Sequence, residues 1–244
     1  MKNRINKCQA VVLHTLKYRD SSLLVYAYTD LFGRQTYVVN GVRNVKNKTG
    51  MACFQPLTLL EIVAYHNPKT ELQRLKEYRI AEPLQSLSFD VHKNAIALFI
   101  GEIMYKTVCE QESNSALFRF LRQAVIDLDN IQDGVANFHL YFLAQLCEYL
   151  GYAPGNEYAP DQLFFDIPTG MFTSVRPMHT RFFDTEQTQL LGHLLAATPA
   201  DLCRLPLNRE QRQAFISRII DFYNHHFNTL APIRSLPVLM EVYD

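Results

Sequence analysis

Several features that commonly identify a class of protein are scarce or missing in this sequence. Glycine occurs only nine times in 244 residues, and the chain has no internal repeat, no low-complexity run and no Ser- or Pro-rich linker. We therefore expect any two domains to abut rather than to be joined by a flexible tether. No apolar run approaches the roughly 20 residues that a membrane-spanning helix needs. The apolar stretch at residues 10–13 is also too short for the core of a signal peptide. These absences predict a cytoplasmic protein with no membrane partner.

Enzyme and metal motifs are missing as well. The five cysteines are odd in number and widely scattered, which fits neither a disulfide framework nor a paired-thiol metal site. The sequence contains no GxxxxGK(S/T) phosphate loop, no GxGxxG after a strand, no GxSxG and no HExxH. His225 and His226 are neighbours on a predicted helix, so their side chains point about 100° apart and do not make a ligand pair. We expect no catalytic residues, no cofactor and no metal.

Charge is balanced over the whole chain but divided within it. Up to Ile80 there are 13 Lys and Arg against 5 Asp and Glu, a net charge of +8, whereas the remainder has 11 against 19, a net charge of −8. Positive charge gathered in a short segment indicates a module that binds a polyanion, and the acidic remainder is expected to pack or to meet another protein. The sequence thus predicts two domains, 1-80 and 81-244.

The basic segment has the pattern of a small barrel. Short runs rich in Val, Leu, Tyr and Thr predict strands at residues 8–15, 22–29, 35–40 and 57–65. Residues 71–80 should return antiparallel to the fourth strand, although their apolar positions are three apart, a spacing that also suits a helix. Five short strands in a basic segment predict an OB-fold barrel, and an SH3-like barrel is the alternative.

After Pro83 the apolar spacing changes to the period of helices that are buried on one face. Helices are predicted around residues 96–108, 115–125 and 135–150, and again from Asn208. Between them, residues 162–173 (QLFFDIPTGMFT) predict a short hairpin. The predicted fold class is therefore α+β, with an N-terminal five-stranded OB-fold barrel followed by a mostly α-helical domain.

One loop of the basic domain is a candidate for contact with nucleic acid. Residues 40–50 (NGVRNVKNKTG) contain three cations, two glycines and no acid. Arg43, Lys46 and Lys48 can neutralise phosphates without reading sequence, and a merely solvated loop is the alternative. The other candidate nucleic-acid-binding residues are Lys17, Arg19, Arg34, Lys76 and Arg79. Five tyrosines offer stacking faces for unpaired bases, although packing explains each of them as well: Tyr18, Tyr26, Tyr28, Tyr37 and Tyr78.

A second candidate site lies in the acidic domain. Arg119 and Arg122 are i, i+3 neighbours on a predicted helix that also carries Phe118, Phe120 and Leu121. Cations beside an apolar groove suit an acidic, apolar peptide. Ordinary ion pairing with nearby carboxylates is the alternative.

Three segments carry a resemblance to a known family. The run AVVLHTLKYRDSSLLVYAYTDLFGRQTYVVNGVRNVK, the segment LCEYLGYAP and the terminal IRSLPVLMEV resemble, in order and spacing, the bacterial recombination mediator family RecO. The resemblance covers essentially the whole chain. It implies an OB-fold followed by a helical domain, in a DNA-repair protein that is not an enzyme.

The same resemblance implies partners. Members of the family bind single- and double-stranded DNA, anneal complementary strands and act with RecR, sometimes RecF, to load RecA onto DNA covered by single-strand-binding protein. Their helical domain is expected to take the acidic, phenylalanine-ended tail of single-strand-binding protein, which favours Arg119 and Arg122. Many relatives also carry a four-cysteine zinc site after the LGY-containing helix, but residues 151–174 contain no cysteine, so we expect no zinc here. The alternative function is a protein-interaction adaptor whose basic barrel contacts an acidic partner rather than DNA.

Overall fold

The computed structural model describes residues 4–42, 48–227, 230 and 232–243. The chain divides into two compact units, which we call unit 1, ending at Asp129, and unit 2, beginning at Asn130. Unit 1 contains the five-stranded barrel and the first two long helices. The predicted barrel domain, 1-80, is thus one part of a larger compact unit, and the last strand of the barrel ends at Ile80.

Five strands close into a barrel in unit 1. They are β1 (Arg4–Tyr18), β2 (Ser22–Thr29), β3 (Gly33–Val39), β4 (Leu59–His66) and β5 (Leu72–Ile80), and their order around the barrel is β1-β2-β3-β5-β4. The 15-residue β1 pairs with β4 along its first half and with β2 along its second, with a register shift between Val12 and His14. All neighbours are antiparallel except β3 and β5. The predicted α+β class with an N-terminal five-stranded barrel is confirmed.

Alternating burial explains why these segments form strands. Along β3, every second residue from Gly33 to Val39 is buried, the pattern of a strand with one face in a core. The barrel interior is filled mainly by Val, Leu, Ile and Ala side chains, together with Cys8 and Tyr37. Burial raises the pKa of the Cys8 thiol to about 12, so this cysteine is a neutral packing residue.

Two helices complete unit 1, after a short helix α1 (Lys48–Ala52) between β3 and β4. The side chain of Asp90 caps the start of α2 (Val91–Thr107), accepting from the backbone N–H groups of His92 and Lys93. Helix α3 (Ser115–Asn130) follows. At Gly101, α2 comes so close to β1 that a Cβ would lie 2.7 Å from the Leu13 carbonyl oxygen. The absence of a side chain at Gly101 therefore allows α2 to pack closely against β1 of the barrel.

Unit 2 is mainly helical. Its helices are α4 (Phe138–Tyr149), α5 (Thr185–Ala196), α6 (Arg209–His226) and α7 (Leu236–Val242), with short 3-10 turns at Val135–Asn137 and Pro199–Arg204. A small sheet contains β6 (Phe164–Asp166), β7 (Met171–Thr173) and β8 (Phe182–Phe183) in the order β7-β6-β8. Residues 164–173 thus form a hairpin whose Phe165 and Phe172 are both buried. In the described part of the chain, no helix is both long and apolar enough to span a membrane.

Candidate nucleic-acid interface

The outer surface of the barrel has a covered side and an open side. Val11 and Tyr28 alternate with residues of the barrel interior and so face outwards, yet both are at most 1% exposed. Helix α2 packs on β1, and Phe118 of α3 stacks on Tyr28 with 6.4 Å between the ring centroids. The helices therefore cover this part of the outer surface, and we call the part that they leave uncovered the open side.

A continuous row of outward-facing residues, which we call the outer row, crosses all five strands and returns to β1. Leu16, Arg74 and Ile5 are its exposed members. Each member is the register partner of the next across neighbouring strands, from Leu16 through Leu24, Val38, Arg74 and Tyr65 to Ile5. None belongs to the core cluster of the barrel, and Leu16 and Ile5 are 42% and 53% exposed. The outer row thus combines apolar and aromatic surface with a cation, the combination that suits bases and phosphates together.

Exposed cations border the outer row. Arg74 lies within the row itself. Lys17 follows Leu16 near the end of β1 and is exposed there, opposite the core residue Leu23. Among the described residues neither cation makes an ion pair. Lys76 is also exposed and lies 3.3 Å from the carboxylate of its neighbour Glu77. Arg19, in the turn after β1, has its guanidinium 5.1 Å from the ring centroid of Tyr18. All four side chains are exposed, so they can contact an anion without any rearrangement of the barrel.

Arg79 is bound to a carboxylate of the barrel. Its Nη2 lies 2.6 Å from the Glu61 carboxylate, and the Lys7 ammonium lies 2.8 Å from the same oxygen. Hydrogen bonds from Lys7 and Arg79 lower the pKa of Glu61. Two cations thus share one carboxylate, which leaves a local charge of about +1 for an anionic ligand.

Arg34 makes its contacts inside unit 1. Its Nη1 donates hydrogen bonds to the carbonyl oxygens of Tyr105 and Val108, at 3.0 and 3.1 Å, at the C-terminal end of α2. Its guanidinium also lies 4.6 Å from the ring centroid of Tyr105 and 5.6 Å from that of Tyr26. Arg34 therefore ties β3 to α2, and its contact with nucleic acid stays a prediction.

The remaining candidates, Arg43, Lys46 and Lys48, belong to the basic loop, of which the structure describes only a part. Arg43 and Lys46 lie outside the described residues, and of Lys48 only the backbone, at the start of α1, is described. Gly41 just before them has a φ of 72°, a conformation that favours glycine. The contribution of this loop to binding stays a prediction.

The predicted peptide site on α3 is arranged differently from an open groove. Phe118 and Leu121 are at most 5% exposed, because they belong to the interior of unit 1. Arg122 donates to the Glu82 carboxylate at 2.6 Å, whereas Arg119 is exposed. Of the predicted pair, Arg119 thus remains open to a partner, and the role of both arginines stays a prediction.

Sequence reasoning missed Arg74, Tyr65 and the apolar part of the outer row. Of the tyrosines proposed as stacking faces, Tyr28 and Tyr37 are buried and Tyr78 packs against the barrel core. Strand alternation was the available signal, because it places Tyr65 on the face opposite Ala64. The register between strands, which aligns Arg74 with Tyr65 and Val38, is visible only in the structure.

The described residues contain no group of three or more His, Cys, Asp or Glu side chains arranged to hold a metal ion. Two of the five free cysteines, Cys109 and Cys203, are exposed and three are buried or half-buried. Among the described residues, the candidate site therefore consists of cations and of apolar and aromatic side chains.

The closed five-stranded barrel places the chain among OB-fold proteins, a class whose barrels commonly bind oligonucleotides or oligosaccharides. Two family models match it: Recombination protein O N terminal over residues 1–84, and Recombination protein O C terminal over residues 88–236. The chain therefore belongs to the RecO family of DNA repair and recombination proteins.

Curated relatives agree with this assignment along the whole chain. The DNA repair protein RecO of Bacteroides fragilis is 34% identical over 241 residues, which cover 98% of this chain and 100% of the relative. The RecO proteins of Flavobacterium psychrophilum and Phocaeicola vulgatus are 36% and 32% identical, and each match covers at least 97% of both chains. The family is one of recombination mediators and is not a known class of enzyme.

Proposed function

We propose that this protein is a DNA repair and homologous recombination mediator that binds single- and double-stranded DNA through the open side of its barrel. The observation that carries the proposal is the outer row, an apolar and aromatic surface that contains Arg74 and is bordered by the exposed Lys76. A barrel segment with a net charge of +8 adds long-range attraction for a polyanion. Since these cations meet phosphates and not base edges, binding should be nearly independent of sequence.

Annealing of complementary strands follows from the same chemistry. Cations that neutralise phosphates lower the repulsion between two strands, and stacking on an aromatic ring such as Tyr65 holds bases unpaired without choosing among them. We further propose that the protein acts in the cytoplasm with RecR, and in some cases RecF, to load RecA onto DNA covered by single-strand-binding protein. This role requires sequence-independent binding, because the strands to be repaired have no common sequence.

The helical part of the chain is proposed to meet the acidic C-terminal tail of single-strand-binding protein. Arg119 supports this proposal because its side chain is exposed on α3 and makes no ion pair with the other described residues. Arg122 would join it only by exchanging its contact with Glu82 for one with the tail. An Arg119→Glu variant should therefore lose more tail affinity than an Arg122→Glu variant in a titration with the tail peptide.

A salt titration tests the DNA-binding proposal. Fluorescence anisotropy of labelled oligo(dT) should give a steep linear fall of log K with log salt, with a slope of about −0.7 for each neutralised phosphate. The double variant R74Q/K76Q should reduce the slope by about 1.4 and weaken binding about tenfold. The matched control R204Q/R218Q removes the same charge from exposed or half-exposed sites in unit 2 and should change neither quantity.

A flat salt response of the unmodified protein would contradict the proposal. The adaptor alternative predicts a different pattern: no DNA affinity, and tight binding of the barrel to an acidic partner protein. Equal losses in R74Q/K76Q and in the control would show that net charge, and not the outer row, determines binding.

A further inference from the structure

A groove in unit 2 lies between the beginnings of two helices. Its volume is about 260 Å³. The lining residues at the start of α5 are Asp184, Glu186, Gln187 and Leu190, and those at the start of α6 are Leu207, Glu210, Gln211, Ala214 and Phe215. Its floor is apolar, because Leu207 and Ala214 expose surface there, next to Leu190 and Phe215, which are 8% and 0% exposed. The space is sufficient for one or two side chains of a partner rather than for a whole small-molecule ligand.

The rim of this groove is acidic on both sides. Asp184 and Glu186 stand on the α5 side and Glu210 on the α6 side, and all three are exposed. None of the residues that line the groove is Lys, Arg or His. Within the described residues, none of these three carboxylates forms an ion pair. The residues that line the groove thus carry negative charge only, and the nearby Arg209 and Arg212 of α6 line a different cavity.

Glu186 and Glu210, the two glutamates of the rim, do not cap their helices. The Asp184 carboxylate accepts a hydrogen bond from the Gln187 backbone N–H at 2.9 Å, and the Asn208 amide oxygen accepts one from the Gln211 backbone N–H, also at 2.9 Å. Each is half of a reciprocal capping box. Glu186 and Glu210 follow these caps and leave their carboxylates for a ligand. The partial positive charge of the two helix starts offsets part of the rim charge, so binding must use the apolar floor as well.

We propose that this groove binds a basic amphipathic segment of a partner protein, with an apolar side chain on Leu207 and Ala214 and a Lys or Arg between the rim carboxylates. Charge complementarity selects this occupant. The rim repels an acidic peptide or a nucleic acid, whereas a bare cation gains nothing from the apolar floor. The long side chains of Lys and Arg suit such a site because their aliphatic stems lie on apolar surface while the charged end reaches a carboxylate. The proposal is independent of DNA binding by the barrel.

The test uses the full chain and a fluorescein-labelled probe peptide of sequence GLKRLLKRLG. Its affinity should decrease at least tenfold in the double variant E186Q/E210Q, which removes two rim charges without changing side-chain size. The control E157Q/E241Q removes the same charge from exposed positions that do not line the groove, and its affinity should stay within twofold. A third variant, A214R, puts a cation of the chain itself into the groove and should abolish binding. Affinity of all these proteins for oligo(dT) should be unchanged or, for A214R, slightly raised.

Several outcomes would overturn the proposal. The first is binding of the acidic peptide GLEELLEELG as tight as that of the basic probe, and the second is an equal loss in E186Q/E210Q and in the control. Spermidine and the unlabelled peptide can also be compared as competitors of the labelled probe. If both displace it at the same concentration, the groove binds polycations in general and its apolar floor does not contribute to binding. Sedimentation velocity can show whether the unmodified chain forms dimers that dissociate in high salt. If it does, and if E186Q/E210Q abolishes these dimers, the groove binds a second copy of the chain and not a partner protein.

Discussion

Replacing Asp129 by asparagine is expected to destabilise unit 1 by about 2 to 4 kcal/mol. The Asp129 carboxylate is buried and accepts hydrogen bonds from three consecutive backbone N–H groups, those of Gln85, Ser86 and Leu87, at 2.7 to 2.8 Å. Lys93 supports the same arrangement, because its ammonium donates to the Asp129 carbonyl oxygen at 2.7 Å and to the Ser86 hydroxyl at 2.8 Å. These hydrogen bonds thus connect residues 85–87, which follow β5, to the C-terminal end of α3.

The magnitude follows from the number of donors left without an acceptor. An asparagine keeps one carbonyl oxygen and turns an NH2 group towards the remaining N–H groups, so at least one buried donor loses its partner. Each such loss costs about 1 to 3 kcal/mol, and more where the acceptor was charged. Urea unfolding of the variant beside the control Asp20→Asn, an exposed carboxylate in the turn after β1, measures the difference.

The same residue predicts a dependence on pH. Burial by itself raises the pKa of Asp129, but the backbone hydrogen bonds of residues 85–87 and the Ser86 hydroxyl outweigh it and lower the pKa below the ordinary 3.8. A carboxyl group with a lowered pKa in the folded state stabilises the fold at pH values above its unfolded pKa, and this contribution is lost as pH falls through the folded pKa. The gap between the unmodified protein and D129N should therefore narrow below about pH 4. Equal urea midpoints for D129N and D20N at pH 7 would refute this reasoning.

Three further substitutions test other parts of the structure. Arg34→Lys should lower the stability of unit 1 by about 1.5 to 3 kcal/mol, because a lysine does not reproduce both bonds to the end of α2; a melting temperature equal to that of Arg74→Lys would contradict it. Gly134→Ala should destabilise unit 2 more than Gly151→Ala, since both glycines have a φ near 80° but only at Gly134 would a Cβ meet backbone, 2.6 Å from the Cys203 nitrogen. The cost at Gly151 should be the backbone strain alone, about 1 to 2 kcal/mol, and equal urea midpoints would count against the close packing. Glu61→Gln should raise the affinity for oligo(dT) a few-fold, because it releases the two cations that this carboxylate binds; an unchanged affinity would place these cations outside the interface.

Strand alternation and turn residues predicted the barrel because these signals are local. The run at residues 71–80 was ambiguous by spacing, yet Leu72–Ile80 is a strand because its partner β4 and the parallel neighbour β3 satisfy the hydrogen-bonding groups of its backbone. The short helix α1 was missed, since five residues are too few to show a helical period.

The candidate site was predictable in its charge but not in its contacts. Arg34 and Arg79 are both basic residues of the barrel, and only the three-dimensional arrangement shows that one contacts carbonyl oxygens of α2 and the other Glu61. A sequence gives the sign of each side chain, whereas its partner depends on strand register and on helix packing. The outer row depends on register in the same way, because its neighbours are separated by 8 to 60 residues in the chain.

Hydroxyl-radical footprinting with and without oligo(dT), read by mass spectrometry, tests the central claim most directly, because it reports the solvent access of individual side chains. The account predicts that Leu24, Val38 and Tyr65 of the outer row lose reactivity when DNA is added. Phe89 and Met178, which are 87% and 107% exposed and lie away from the outer row in the chain, should keep theirs and serve as internal references. Unchanged reactivity of the outer row at saturating DNA would contradict the assignment of the barrel's open side as the nucleic-acid interface.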